Sequence, residues 1–395
     1  MSMATLSSIR AAREALSPYL HKTPLVYSTS FSRLLDAEVY LKAENLQKTG
    51  SFKVRGAFNK MTALRPERVI AASMGNHAQG VAFAARSLGV KATIVMPQRA
   101  SIVKQEATKG YGAEVILHGE TFLDALQYAL CQKGYTFIHA FDDDDVIAGQ
   151  GTIGIELLEE MSDIDTVVVP VGGGGLIAGV ATAVKSLSPG TEVIGVQTAS
   201  APSAYASFKA KSITEVTIQP TLADGIAVGR VGEKTFALIE KFVDDILTVS
   251  EASIARAVLL FLERKKLVVE GAGAVPLAAL LDHGARFRNR KVVLLVSGGN
   301  IDFTIIDRII HMSLVSSGRI GVLKVVADDT PGVLHKLAGI VAGHGANILH
   351  VVHDRLYPDM PIGKTLVILT LETRGFDHVA EMMAAVEEAG FVLQH

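Results

Sequence analysis

From about residue 29 to residue 305 the chain repeats one rhythm: a short run of β-branched apolar residues, then a longer Ala- and Leu-rich stretch with apolar positions at helical spacing. Residues 92–96, 113–117, 166–171, 193–197 and 292–296 are apolar on both faces, which predicts parallel strands covered by helices on each side. Between them the spacing predicts helices over 78–87, 121–132, 176–186 and 251–264, the last with Ser250 as N-cap. The architecture this implies is α/β. In an open parallel sheet ligands bind beyond the carboxyl ends of the strands, so chemistry is expected in the loops that follow them.

Near Ser316-Ser317-Gly318 the rhythm changes. The remaining pattern reads strand 320–326, helix 332–343, strands 346–356 and 364–372, helix 377–389 and strand 391–393. That order describes a split βαβ, an α+β ferredoxin-like module. The expected domains are 1–316 and 317–395.

Composition narrows the function classes. Hydrophobic residues make up 49% and charged residues 20% of 395, ordinary globular usage with a core to match. A net charge of -2 without any long Lys/Arg block argues against nucleic acid as a partner and for a small molecule. Cys131 is the sole cysteine, so neither an intrachain disulfide nor a thiolate zinc site is available. Residues 1–8 lack the apolar core of a secretory signal, and no run approaches the roughly 20 apolar residues of a bilayer span. A soluble, cytoplasmic protein is expected.

Four segments carry candidate chemistry. Thr49-Gly50-Ser51-Phe52-Lys53 places a lysine at a helix entrance beside an apolar ring. The positive end of the dipole disfavours the ammonium there, and a neutral amine can form a Schiff base. Ser73-Met74-Gly75-Asn76-His77 follows the strand 69–72 and offers free backbone N–H groups to a carboxylate or phosphate. Equally, Ser73 can be an N-cap and His77 a hydrogen-bonded structural imidazole. Gly172-Gly173-Gly174-Gly175-Leu176 lies between a strand and a helix, where the backbone can approach an anion closely; a tight packing turn needs only one glycine. Ser297-Gly298-Gly299-Asn300 follows the strand 292–296. Neither a nucleotide P-loop nor a spaced dinucleotide fingerprint is present. Three such loops at strand ends suggest one shared site.

At these residues the sequence resembles the threonine dehydratase group of fold type II (tryptophan synthase β-like) pyridoxal-phosphate enzymes, along most of residues 10–312. The segment from Lys42 to Ala57, KAENLQKTGSFKVRGA, is similar to that family's cofactor-lysine signature. The resemblance implies a two-lobed catalytic domain whose smaller lobe, about 50–148, is inserted in the larger one. It implies pyridoxal 5'-phosphate bound to Lys53 beside Phe52. Asn76 would lie on the phenolic oxygen, Gly172, Gly173, Gly174, Gly175 and Leu176 on the phosphate, and Ser297 on the ring nitrogen. Ser51, Ser73, Met74, Gly75, Asn76 and His77 would receive the substrate, and Lys53 would act as base. The activity implied is removal of water from threonine, with serine a poorer substrate. Serine or 3-hydroxyaspartate dehydration, and a non-catalytic amino-acid sensor, are the alternatives.

Further stretches, Gly149–Gly154, Thr221–Val228 and Val269–Ala274, also resemble the dehydratase branch. Met74 stands where serine racemases of the family carry a serine able to protonate the opposite face, so racemisation is not expected. Gln197 and Ser203 occupy the positions where metal-binding relatives carry carboxylates, and no strong divalent site is expected. The C-terminal module resembles an ACT domain through Asp328-Asp329-Thr330-Pro331-Gly332 and Gly345-Ala346-Asn347-Ile348. That resemblance implies isoleucine or valine as allosteric ligand and a homodimer or homotetramer.

Overall fold

A computed structural model describes residues 3–358 and 360–394. Residues 1 and 2 of the expected first domain, and 359 and 395 of the expected C-terminal module, lie outside the described residues. The chain forms two compact units, Met1–Asp302 and Phe303–His395. The division falls at 302/303 and not at the expected 316/317, because the helix Phe303–Ser316 packs on the strand that follows it, with Arg319 N donating to Leu314 O at 2.8 Å.

The first unit carries strands β1 (Leu25–Tyr27), β2 (Glu38–Ala43), β3 (Arg68–Ala72), β4 (Lys91–Met96), β5 (Glu114–Leu117), β6 (Thr136–Phe137), β7 (Thr166–Pro170), β8 (Glu192–Thr198), β9 (Asp245–Val249) and β10 (Lys291–Val296). They form a six-stranded sheet in the order β1-β2-β10-β7-β8-β9, parallel except for β1, and a parallel four-stranded sheet in the order β5-β4-β3-β6. The smaller sheet is built from residues 68–137, inside the expected inserted lobe. Every residue of β7 and all but the first of β10 are buried, as strands with helices on both faces require. Val167, Val169, Val293 and Leu295 share one core with Ile177 and Val180; Val69, Ala71, Ile94 and Met96 share another with Val54, Phe58 and Val81.

The helix Asp144–Glu160 packs against both Lys53–Leu64 and Gly175–Leu187. Its glycines allow the close approach: a Cβ on Gly149 would sit 2.6 Å from Arg55 O, and one on Gly151 2.8 Å from Gly179 O. The lysine helix and the helix behind the glycine bend are thereby held through one common element.

In the second unit β11 (Ile320–Asp328), β12 (Asn347–Asp354), β13 (Lys364–Glu372) and β14 (Val392–Leu393) form an antiparallel sheet in the order β12-β13-β11-β14. The helices Val333–Gly343 and Phe376–Glu388 supply its connections, giving the ferredoxin-like arrangement. No described helix is long and apolar enough to cross a membrane.

Candidate active site

The lysine loop is stitched to the loop after β10. Phe52 N donates to Ser297 O (3.1 Å), Gly299 N to Gly50 O (2.9 Å), and Ser51 bridges Gly298. Gly50 has φ +70, and a Cβ there would lie 2.5 Å from Asn300 Oδ1. Lys53 opens the helix Lys53–Leu64, and its Nζ donates to Ala140 O at 3.3 Å, 5.1 Å from the Phe52 ring centre. Burial lowers its pKa to about 8, with the nearby Glu270 charge opposing. A reactive amine results.

Two residues further on, Arg55 anchors the same helical turn. Its guanidinium donates to Glu44 (2.8 and 2.9 Å) and Glu156 (2.7 and 3.0 Å), all three side chains being buried. Buried Lys42 completes the set, 2.8 Å from Glu156 and donating to Thr23 O at 2.7 Å. Burial pushes the Glu156 carboxyl up, but Arg55 and Lys42 outweigh it and hold it below the usual range. Two cations and two carboxylates balance, so the network is satisfied only as a whole.

The loop after β3 starts the helix Asn76–Leu88. Ser73 Oγ accepts from Gly75 N at 3.2 Å, while Ser73, Met74, Gly75 and Asn76 are all partly exposed, with open space beside Gly75. Asn76 Nδ2 donates to both oxygens of Glu270 (2.8 and 3.0 Å), and its Oδ1 accepts from Asn300 Nδ2 at 2.7 Å. His77 is turned away: its Nε2 lies 2.9 Å from Ile138 O. Burial drops its pKa to about 3, the Lys53 charge adding to the effect, so it is neutral and can offer a substrate carboxylate only its backbone N–H.

The glycine bend follows β7 and opens the helix Gly175–Leu187, with Gly174 at φ +98. A Cβ on Gly173 would meet the Phe141 ring at 2.4 Å, one on Gly174 Thr235 Oγ1 at 2.8 Å, and one on Gly175 Phe141 Cα at 2.9 Å. Only glycines allow this packing. The Gly173 carbonyl is taken by Thr235 Oγ1 (2.7 Å). The first N–H groups of the helix, from Gly175 and Leu176 onward, lack intrahelical acceptors and suit an anion. Phe141 directly follows the carbonyl that receives Lys53, which brings amine and bend together.

Ser297 is 2% exposed; its carbonyl is taken by Phe52. Glu270 and Phe141 entered no sequence argument as functional residues, although Glu270 stands in a segment that resembled the family, and Asn300 entered only as the last residue of the segment after the strand 292–296. Gln197 and Ser203 are engaged locally, Gln197 Oε1 accepting from Tyr205 N (2.9 Å) and Ser203 Oγ donating to Val228 O (2.6 Å).

The arrangement fits an aldehyde cofactor carrying a phosphate. It pairs a lysine of lowered pKa with helix-terminal amides, and the fully buried hydroxyl of Ser51 has no hydrogen-bond partner in the protein. The chain belongs to the pyridoxal-phosphate dependent enzyme family, whose model matches residues 16–298. Its cofactor is pyridoxal phosphate. The chain is 48% identical over 396 residues to an L-threonine ammonia-lyase of Thermotoga maritima, with 98% of each covered. It is 47% identical over 392 residues to one of Geobacter sulfurreducens, again covering 98% of each. Among solved structures, a T.th. threonine deaminase superposes with a TM-score of 0.73 at 48% identity, covering 76% of this chain and 99% of that one. Maize serine racemase superposes at 0.74 with 34% identity, covering 80% and 99%.

Proposed function

We propose that this chain is a pyridoxal-phosphate dependent threonine ammonia-lyase, converting L-threonine to 2-oxobutanoate and ammonia by β-elimination of water, with weaker turnover of L-serine. The observation that carries the reading is 47–48% identity, over 98% of the chain, to L-threonine ammonia-lyases. The partly buried lysine of lowered pKa, in a loop stitched to the end of β10, supports it.

Lys53 would hold the cofactor aldehyde beside Phe52, the amides of Gly172 to Leu176 would take the phosphate, Asn76 the phenolic oxygen and Ser297 the ring nitrogen. Bound there, the cofactor supplies a conjugated electron sink for the bond broken at the substrate α-carbon. Ser51, Ser73, Met74, Gly75, Asn76 and the backbone of His77 seat the substrate carboxylate. The Lys53 amine would take the substrate α-proton; its lowered pKa suits a general base near neutral pH. Beside a bound cofactor the neutral Ser297 hydroxyl would not hold a proton on the ring nitrogen as a carboxylate would, which would favour elimination over transamination. The β-hydroxyl, taking up a proton in place of the one given to Lys53, would leave as water, and hydrolysis of the released enamine gives the keto acid and ammonia. The Met74 thioether donates no proton, which disfavours racemisation.

The second unit acts as an ACT-like regulatory module binding isoleucine or valine within a homodimer or homotetramer. Support comes from its ferredoxin-like sheet and the Asp328–Gly332 and Gly345–Ile348 segments.

Keto-acid formation from threonine, serine and 3-hydroxyaspartate, with and without isoleucine or valine, tests the reading. Threonine is expected to have the highest kcat/KM. A higher value for serine or 3-hydroxyaspartate would transfer the assignment to that substrate, and no turnover of any would favour an amino-acid sensor.

A further inference from the structure

Glu270, beside Asn76, is a buried carboxyl that the reaction scheme leaves unused. It stands immediately before the helix Gly271–Asp282, with its backbone N donating to Gly298 O at 3.1 Å. Its carboxyl fills the space a side chain on Gly298 would take: a Cβ there would lie 2.3 Å from Glu270 Oε1. Among the described residues no cation is paired with it. The charged groups that face it are Asp224, Lys53 and Lys104, and the first and last of these are 3.1 Å apart in an ion pair of their own. A buried, unpaired carboxyl is costly, and its burial here serves no ion pair.

Its contacts show what it accomplishes. An Asn side chain has two N–H donors and one carbonyl acceptor, and its two ends exchange places on a half-turn. Asn300 Nδ2 donates to Asn76 Oδ1 and also to Thr49 O at 2.8 Å, so one end of Asn76 must be the acceptor. Glu270 accepts at the other end with both oxygens, so that end must be the donor. One N–H of the amide then remains uncommitted.

We propose that Glu270 is a positioning residue, which with Asn300 locks the amide of Asn76 in one orientation so that its remaining N–H is directed to the cofactor. The proposal rests on the reading of Asn76 as a cofactor ligand. Burial pushes the Glu270 carboxyl up to about 7, with the Asn76 bond opposing, so the lock changes charge near neutral pH.

The test uses Glu270→Gln and Asn300→Ala, each reconstituted with pyridoxal phosphate beside the wild type. Both variants are expected to keep the visible band of the lysine-bound cofactor but to hold it at least tenfold more weakly. The wild-type band is expected to change between pH 6 and 8, and this change to vanish in Glu270→Gln. Melting of Glu270→Gln is expected at or above the wild-type temperature, because a costly buried charge is gone. A lowered melting temperature with unchanged cofactor affinity would reduce Glu270 to a structural part and overturn the proposal. So would wild-type affinity together with a wild-type pH titration. A wild type that forms no visible band would instead overturn the cofactor reading, and the proposal with it.

Discussion

The amine of Lys53 donates to the carbonyl of Ala140 across 3.3 Å, and Phe141, the next residue, lies where a side chain on Gly173 would have to be. A segment preceding the helix Asp144–Glu160 therefore touches both the amine proposed to take the aldehyde and the bend proposed to take the phosphate. The separation of Lys53 from the glycine bend is set by packed backbone.

Capture of the cofactor by apoprotein needs the neutral amine. With Lys53 at about 8, the rate constant for appearance of the visible band should climb about tenfold per pH unit below pH 8 and level off above it. Stopped-flow absorbance from pH 6 to 9.5 checks this; a rise continuing to pH 10 would mean an unperturbed lysine.

Gly173→Ala drives a methyl into the Phe141 ring and displaces the segment that also receives Lys53. Overpacking of this kind costs about 1–3 kcal/mol. Cofactor affinity measured by titration of apoprotein should fall more than tenfold, while Gly190→Ala, with open space at its Cβ, should leave affinity unchanged.

Arg55→Met leaves Glu44 buried with no cation beside it and Glu156 with Lys42 at 2.8 Å and Arg13 at 4.0 Å. Breaking a buried network from one side costs about 3–5 kcal/mol. Urea unfolding should show that loss, with Lys53 less protected from acylating reagents as its helix loosens.

Glu270 links folding to pH in a definite direction. Its pKa is raised from 4.5 to about 7 on folding, so its stabilising contribution is complete below about pH 4.5 and lost as pH rises through 7. Between pH 5 and 8 wild-type apoprotein should lose stability relative to Glu270→Gln, by roughly 3 kcal/mol at most. Lys53 has the opposite sign, its pKa being lowered: its contribution is complete above about 10.5 and lost as pH falls through 8. Denaturant titrations of the two proteins at pH 5 and 8 separate the two effects.

The sequence made the sheet strands 92–96, 166–171 and 292–296 legible because burial on both faces leaves an uninterrupted apolar run. It hid the helix Asp144–Glu160, whose Gly149, Gly151 and Gly154 lower helix propensity and are there for close packing against other helices. The expected helix 251–264 instead ends at Leu260 and continues as a π turn over Phe261–Lys265, a change of hydrogen bonding that spacing does not announce. Lys53, Asn76 and the glycine bend stood out as unusual residues at strand ends. Glu270 did not, since its meaning lies in a contact with Asn76 from 194 residues away. His77 was open between ligand and structural imidazole, and the Ile138 carbonyl claims its ring.

Borohydride reduction of the holoenzyme, followed by peptide mass mapping, fixes the cofactor to whichever lysine carries it. The account requires the pyridoxyl group on the peptide containing Lys53, with none on the Lys53→Ala protein; a reduced adduct on another lysine, or none on the wild type, would contradict it.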